Sequence, residues 1–441
     1  MVRKLPINFK ITQISGLQLF QLIRFSTLML IGVVFAKSGL TTSQIGQYET
    51  FLFLASAICF FWLNGLIQGF LPSSKNESGS GRSSALFNVF YLVTAFSGLS
   101  AIFLFLFEKS LSGHLLKGSD IPFLNYLLVY ILISSPASLV EYVYLIKNQG
   151  KQMINYAVIS YTLMFVLVAL PPVFGESIEM SMTGLVASAA FRLAWLLVLL
   201  FRNSVPEIDF GFMKQNLKSA WPLIVSMLLS GSGQYIDGFI ITAYFNDATF
   251  AVFRYGAREF PLVLLLANAF SASMLPGFAD HINLKSNLEK IRNNSQKLGF
   301  WLFPLSGVMM LVSHWAFPIV FNVSFTGSAT IFNIYLLLII SRLLFPQTIL
   351  IGLQITTAIM WASFFEIVVN VSISLWFLQY WGIVGVAYGT VIAYIFEKLV
   401  LMLFVRKTNE IKVKDYLDVR QHLVYSVLLT AEFFMVEFVI Y

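Results

Sequence analysis

The stretch from Trp221 to Pro276 reads WPLIVSMLLSGSGQYIDGFIITAYF, then NDAT, then FAVFRYGAREFPLVLLLANAFSASMLP. Two long apolar segments flank a short polar turn, which is the pattern of a helical hairpin that crosses a membrane. Glycine weakens helices, so the SGSG run at 230–233 can break or bend the first helix. Gly231 and Gly233 are therefore candidate gating residues.

Charged side chains lie inside this hairpin, with Asp237 on the first segment and Arg254 and Arg258 on the second. Charges in hydrocarbon are costly and usually functional, and helix breaks near mid-membrane often mark transport sites. Because Asp237 and Arg254 come at similar depth, we expect them to form an ion pair. Asp237 is thus either a structural partner or a coupling residue.

The composition indicates a membrane protein of the helical kind. Of its 441 residues, 58% are hydrophobic and 11% are charged, whereas a soluble domain carries about 25% charged residues. A membrane β-barrel would show only weak alternation instead of long apolar runs. The sequence predicts an all-α polytopic protein with thirteen spanning helices, near 14–36, 47–71, 85–107, 121–146, 153–174, 181–201, 219–245, 248–275, 297–321, 329–351, 358–380, 382–405 and 421–441.

The distribution of Lys and Arg predicts the orientation. The N-terminus and alternate loops carry most of the loop cations, whereas the opposite loops carry Lys37, Lys109 and Lys117. The positive-inside rule then places the N-terminus in the cytoplasm. This bias accounts for most of the net charge of +7, which therefore does not indicate a nucleic-acid partner.

Two short matches share an offset of roughly 200 residues and indicate an internal repeat. IGQY at 45–48 parallels FAVF at 250–253, and MTGLVASAAF at 182–191 parallels IVGVAYGTVI at 383–392. Six helices in each half make the two halves parallel repeats about an axis along the membrane normal. The predicted parts are a first lobe at 1–201, a cytoplasmic linker at 202–218, a second lobe at 219–405, and a basic segment with an additional helix at 406–441.

Arginines near mid-membrane predict a cationic cavity. An arginine that faces lipid there costs about 2.5–3.5 kcal/mol, so Arg24, Arg258 and Arg342 should face water or a partner. Arg254 and Arg258, four residues apart on one helix face, repel each other unless an anion meets them. Arginine also binds phosphate oxygens with two parallel hydrogen bonds. We expect these four arginines to bind an anionic substrate, with Gln21 beside them.

Each of these residues has a structural alternative. Arg258 could simply neutralise Glu259 or Glu366, and Gln21 could make an ordinary hydrogen bond between helices. Glu366 is also a candidate pathway or coupling residue. The four histidines are scattered and there is no Walker motif, so we predict no metal, no cofactor and no enzymatic activity. Transport would then be driven by an ion gradient, with a proton or sodium ion as the coupling partner.

The stretch NVSISLWFLQYWGIVGVAYGTVIAYI at 370–395 resembles the "helix, short turn, G-I-x-G-A-A-x-x-T" ending of polysaccharide and lipid-linked oligosaccharide flippases. These belong to the multidrug/oligosaccharidyl-lipid/polysaccharide exporter superfamily. The hairpin with Asp237 and FAVF, and Gly150-Lys151 after the fourth helix, are also similar to that family. The resemblance covers residues about 10–405. Thirteen helices depart from the family's usual twelve or fourteen.

The resemblance implies two six-helix lobes around a V-shaped central cavity with alternating access. It implies that an oligosaccharide linked to undecaprenyl pyrophosphate moves from the cytoplasmic to the outer leaflet of a bacterial inner membrane, for surface polysaccharide such as O-antigen or capsule. Arginines on helices 1 and 8 would contact the pyrophosphate, and membrane lipids would surround the protein. One alternative is an ion-coupled multidrug antiporter, which predicts acidic cavity walls. Another is a membrane glycosyltransferase, which needs large outer loops or an outer carboxylate such as Glu49.

Overall fold

A computed structural model describes residues 13–74, 84–258, 261–274, 278, 284–409 and 411–440. Within these ranges the chain is built from α-helices, and ten of them are long and apolar enough to cross a membrane. The number rises to eleven if the bent pair at 210–244 is one span. The prediction of an all-α polytopic membrane protein is confirmed.

The first half of the chain contains the spans predicted for it, with ends that differ by several residues. One span consists of two helices, because Pro136 lacks an N–H and its ring disturbs the preceding turn. The helices are α1 (Gln13–Lys37), α2 (Thr42–Ser74), α3 (Ala85–Leu115), α4 (Leu124–Ala137), α5 (Leu139–Ile146), α6 (Gly150–Val173) and α7 (Ile178–Asn203).

The second half is more often interrupted. A 3-10 turn (Val323–Phe325) and a π-helical turn (Val436–Ile440) accompany its α-helices. These are α8 (Phe210–Gly231), α9 (Gly233–Tyr244), α10 (Asp247–Gly256), α11 (Pro261–Met274), α12 (Leu284–Val320), α13 (Thr326–Leu336), α14 (Ile339–Arg342), α15 (Pro346–Gly352), α16 (Thr356–Asn409), α17 (Val413–Tyr416) and α18 (Val419–Met435).

The bend expected at SGSG is present, since residues 210–229 and 233–244 differ in direction by 54°. The continuous helix predicted over 248–275 was wrong, because α10 ends at Gly256 and α11 begins at Pro261. Proline clashes with the carbonyl four residues earlier, and this steric conflict ends the helix. The predicted helix at 329–351 is likewise divided into α13, α14 and α15.

Long α16 contains the turn predicted between its two spans. Gly382 has φ 57° and ψ −134°, so residues on either side form separate helices. Glycine adopts positive φ without the steric cost that other residues meet. The turn that carried the family resemblance is therefore built on the one residue type that tolerates its backbone geometry.

Contacts divide the chain into two compact units. Unit 1 comprises residues 1–40, 54–108 and 123–225, and unit 2 comprises 41–53, 109–122 and 226–441. The predicted lobes, their linker and the symmetry between them stay a prediction.

Close packing of α1 on α6 organises the site-bearing part of unit 1. A side chain at Gly16 would meet the backbone of Gly150 at 3.1 Å, so glycine is what allows the two helices to approach. Small residues serve this purpose in membrane helices generally. One turn along the same face, Phe20 stacks on Tyr156 at 6.2 Å and meets the edge of Tyr161 at 5.6 Å.

The two acids near the C-terminus, Glu432 of α18 and Glu437 of the π-helical turn that follows it, contact other residues of unit 2. Glu437 Oε1 accepts a hydrogen bond from Asn333 Nδ2 at 2.6 Å and lies 2.8 Å from His314 Nε2. Glu432 packs against Gly307, where an added Cβ would lie 2.5 Å from its carboxylate oxygen. The acids that made this helix ambiguous in the sequence are thus accommodated within the protein.

The start of α18 is fixed by Asp418, which accepts a hydrogen bond from the Gln421 backbone N–H at 3.1 Å. That bond, with the nearby Arg292 guanidinium at 3.7 Å, holds the pKa of Asp418 below its ordinary value. The outer face of α18 is apolar and exposed, and includes Leu423, Val424, Val427, Leu428, Phe434 and Phe438.

We predict that α18 crosses the membrane and places the C-terminus outside. Its apolar face suits lipid, and the basic run before it should stay cytoplasmic. A reporter fused after the last residue should be active only on the outer side, whereas a reporter inserted near Lys412 should be active only in the cytoplasm. Cytoplasmic activity of the C-terminal fusion would contradict the prediction.

Candidate functional site

Arg24 lies on the bundle-facing side of α1, one turn after Phe20. Its side chain is exposed, yet it interacts electrostatically with Glu141, Arg192 and Tyr161, which lie on α5, α7 and α6. Within the described part of the chain, Arg24 makes no ion pair shorter than 4 Å. The guanidinium is therefore surrounded by polar groups but is not neutralised by direct contact.

A second arginine lies beside it. Arg192 donates from Nε to the Tyr156 hydroxyl at 3.1 Å, and its guanidinium carbon lies 5.6 Å from the centre of the Tyr161 ring. Tyr156 is fully buried, and its ring centre is 5.4 Å from that of Trp195. This aromatic packing holds the Arg192 guanidinium in one orientation.

Arg24, Arg192 and Glu141 form what we call the unit 1 cluster. Two guanidiniums and one carboxylate leave one net positive charge. Sequence analysis selected Arg24 but assigned no role to Arg192 or Glu141, although a charge inside an apolar span is the signal that could have found them. Gln21, also expected in the site, is exposed on α1 one turn before Arg24.

In unit 2, Arg254 and Arg258 converge on Glu49 of α2. Arg258 Nη2 lies 3.0 Å from Glu49 Oε1, and Arg254 Nε lies 3.8 Å from Glu49 Oε2. Arg258 also lies over the Tyr255 ring at 4.9 Å. Glu49 was expected at the membrane interface, but its side chain is only 5% exposed. Glu259, the other suggested partner, is outside the described residues.

Asp237 is not ion-paired with Arg254 in this structure, contrary to expectation. It is buried, and it accepts hydrogen bonds from Thr390 Oγ1 at 2.6 Å, from Asn370 Nδ2 at 3.5 Å, and from the Tyr335 hydroxyl. Arg254 remains close enough to interact with it electrostatically. Neutral donors from α13 and α16 thus take the place expected for a cation.

Asn370 connects Asp237 to a second buried acid. Its side chain also hydrogen-bonds Glu366, and its Oδ1 accepts from Ser374 Oγ at 2.9 Å. Glu366 Oε1 is buried without a hydrogen-bond partner among the described residues. Near it, Lys398 Nζ lies 2.7 Å from Glu397 Oε2, so that lysine is already neutralised.

The helix break after Gly231 packs directly on Glu366. A Cβ added at Gly233, the first residue of α9, would lie 2.8 Å from Glu366 Oε2. The absence of a side chain at 233 therefore makes room for the carboxylate. Gly233, one of the two gating candidates, thus meets the coupling candidate Glu366 at this point.

Arg342, the last of the arginines expected in one cavity, ends α14. Its guanidinium carbon lies 4.6 Å from the centre of the Tyr394 ring. The structure therefore gives the four arginines different surroundings. Arg24 lies in the unit 1 cluster, and Arg342 lies on an aromatic ring. Arg254 and Arg258 both lie close to Glu49.

The buried oxygens around Asp237 have the chemistry of a small-cation or proton site. Carboxylate, amide and hydroxyl oxygens are the ligands that hard cations prefer. Among the described residues, no group of three or more His, Cys, Asp or Glu side chains could hold a metal ion. The guanidiniums of unit 1 instead offer donors to an anion.

Comparison with known proteins supports the fold expected from the resemblance. The sequence matches a family model described as polysaccharide biosynthesis protein over residues 74–330. A comparison with curated proteins gives no match. The fold is similar to that of the lipid II flippase MurJ in an inward closed conformation, with a TM-score of 0.68 and 17% identity over 95% of this chain and 92% of that chain.

Multidrug transporters share the same fold. An inward-facing multidrug resistance MATE family transporter of the MOP superfamily gives a TM-score of 0.61 and 14% identity, over 91% of this chain and 96% of the other. A mutant of the Vibrio cholerae MATE transporter VcmN gives a TM-score of 0.59 and 13% identity, over 90% of this chain and 95% of the other. The predicted superfamily fold is confirmed.

We predict that Glu49 and Arg258 are energetically coupled. Glu49→Gln leaves two partly exposed arginines without their acid and should lower stability by about 1–3 kcal/mol, the cost of leaving hydrogen-bonding groups unsatisfied. Thermal unfolding of Glu49→Gln, Arg258→Gln and the double variant forms a double-mutant cycle, in which the double variant should lose less than the two singles together. Additive losses would refute the coupling.

We predict that Gly233→Ala disturbs Glu366. The new methyl group would be only 2.8 Å from the carboxylate oxygen, so the α8–α9 break or α16 must shift. Transport at matched protein amount should fall several-fold. Gly98→Ala on α3 is the control, because a Cβ there meets nothing within 4 Å. Adding Gly233→Ala to Glu366→Ala should cause little further loss. An equal further loss in that background would show that Glu366 is not what the methyl group strikes.

Proposed function

Since this chain belongs to the polysaccharide biosynthesis protein family, we propose that it is a flippase for a lipid-linked oligosaccharide. Its substrate would be an oligosaccharide on undecaprenyl pyrophosphate, moved from the cytoplasmic to the outer leaflet of a bacterial inner membrane. The product would serve surface polysaccharide synthesis. The similar fold of a lipid II flippase supports the proposal.

The observation that carries this proposal is the unpaired guanidinium of Arg24. A bare arginine in an apolar bundle is costly, and a pyrophosphate would offset that cost. Phosphate oxygens accept charge-assisted hydrogen bonds worth about 1.5–3 kcal/mol each. Arg24 is therefore the first phosphate ligand, with Gln21 as a neutral donor nearby.

The other arginines take secondary places in the proposal. Arg254 and Arg258 share Glu49, so together they retain one positive charge with which to meet an anion. The Arg342 guanidinium could donate hydrogen bonds to the phosphate from its edge while its face lies on the Tyr394 ring. Each of these groups is partly neutralised or stacked, which makes it a weaker candidate than Arg24 for binding the pyrophosphate in this conformation.

Coupling is assigned to the Asp237 network. Two buried carboxylates, Asp237 and Glu366, share the Asn370 amide, and unneutralised buried charges are expensive. A proton or sodium ion entering this network would lower that cost. Because Gly233 contacts Glu366, binding of the ion would change the contacts at the α8–α9 bend. Such a change fits alternating access between two lobes, with the N-terminus in the cytoplasm.

A second candidate function is ion-coupled export of small molecules. The MATE transporters of similar fold and the acidic Asp237 network favour it. The positive unit 1 cluster counts against it, because a cationic drug would be repelled there. A glycosyltransferase is disfavoured, since Glu49, the acid considered for that role, is occupied by two arginines.

The proposal is tested by reconstituting the full chain in liposomes with a polyprenyl-pyrophosphate-linked oligosaccharide and measuring its translocation under proton and sodium gradients. We expect gradient-dependent transport by the wild type, near-complete loss for Arg24→Ala, and partial activity for Arg24→Lys, which keeps the charge but not the planar fork. Asp237→Asn should abolish the response to the gradient. Transport of a cationic dye but not of the glycolipid would favour the antiporter.

A further inference from the structure

We propose that Arg192 and Tyr161 complete, with Arg24, a phosphoryl-binding site contained within unit 1. This inference rests on the proposed function and names residues that the sequence did not single out as ligands. The site would hold one phosphoryl group of the substrate. It requires no contribution from Arg254, Arg258 or Arg342.

Arg192 has donors to spare. A guanidinium carries five N–H groups, and the only hydrogen bond that Arg192 makes to described residues is the one from Nε to Tyr156. Its side chain is half-buried, so the four remaining N–H groups are partly shielded from bulk water. Arg24 makes no hydrogen bond within the described part of the chain. Two neighbouring guanidiniums therefore present unused donors to the same region.

Tyr161 is an independent observation that points to a binding site. The residue is 2% exposed, and its hydroxyl is buried without a hydrogen-bond partner among the described residues. Its ring lies under Arg192 and meets the edge of Phe20, which precedes Arg24 by one turn of α1. An unpartnered hydroxyl beside these arginines is well placed to donate to an anion that both of them bind.

Glu141 sets the charge of the empty site. It interacts electrostatically with both Arg24 and Arg192 but forms no ion pair within 4 Å with either, as far as the described residues show. The carboxylate thus lowers the repulsion between the guanidiniums without occupying their donors. It would also repel a bound phosphate, which favours release on the other side of the membrane. Glu141→Gln should therefore bind the anion more tightly.

A phosphoryl group fits these donors better than a sugar carboxylate does. Two guanidinium forks and a hydroxyl can address three oxygens of a tetrahedral group, whereas a planar carboxylate offers only two oxygens. Tyr156 and Tyr161 are buried and leave little ring face for a sugar. An acidic sugar remains the competing ligand, and the experiment includes it.

The experiment measures binding by calorimetry to the purified full chain in detergent. The probe is geranylgeranyl pyrophosphate, with geranylgeraniol and glucuronate as comparison ligands. Arg192→Ala should weaken pyrophosphate binding by about ten- to a hundredfold, the effect of one lost charge-assisted hydrogen bond. Arg192→Lys should recover part of that loss, and Tyr161→Phe should weaken binding several-fold. Arg202→Ala, exposed on the same helix, is the matched control and should bind normally.

The outcomes separate this inference from the proposed function. If Arg24→Ala loses binding but folded Arg192→Ala and Tyr161→Phe bind like the wild type, the unit 1 site is wrong while the flippase proposal stands. If the wild type prefers glucuronate to the prenyl pyrophosphate, the phosphoryl assignment is overturned. If neither pyrophosphate binding nor glycolipid transport occurs, both fail. Should Arg192→Ala not fold, Arg192→Lys and Tyr161→Phe decide the question.

Discussion

The arrangement of this protein depends on one constraint, which is the cost of a charge that has no counter-charge inside a bundle of apolar helices. Unit 2 meets part of that constraint with ion pairs: Glu49 receives Arg254 and Arg258, and Lys398 lies against Glu397. In unit 1, Arg24 and Arg192 share the influence of Glu141 without touching it. The binding site proposed for unit 1 rests on this difference.

The two units also differ in the sign of the charge that has no oppositely charged partner. The unit 1 cluster carries one excess positive charge, whereas the network around Asp237 and Glu366 holds two carboxylates on a shared amide. An anionic substrate and a small cation would therefore each be drawn to a different unit.

Much of the fold was predictable because a helix that crosses a membrane needs about twenty apolar residues, and such runs can be read directly from sequence. The positions at which helices are interrupted were harder to predict. Pro261 can be read from the sequence, but the mainly apolar character of residues 248–275 concealed the end of α10. The turn at Gly382 was predictable because glycine interrupts a sustained helical pattern there.

The partners of the charges were the least predictable feature. Counting residues along a helix gives the depth of a side chain, but it does not tell which neighbour faces it. Glu49 and Arg258 are 209 positions apart, so nothing local links them. Depth alone suggested Asp237 for Arg254, whereas the packing of α9 against α13 and α16 gave Asp237 three neutral donors. Arg24 was identified because a charge near mid-membrane needs water or a polar partner, whichever neighbour supplies it.

The contact between α18 and α12 has a consequence for how the protein is made. Synthesis proceeds from the N-terminus, so α12 enters the membrane before α18 exists. Until the last helix arrives, His314 and Asn333 lack the carboxylate of Glu437 that joins them in the finished protein. The segment that carries Glu437 therefore completes this polar contact only after α12 and α13 have been made.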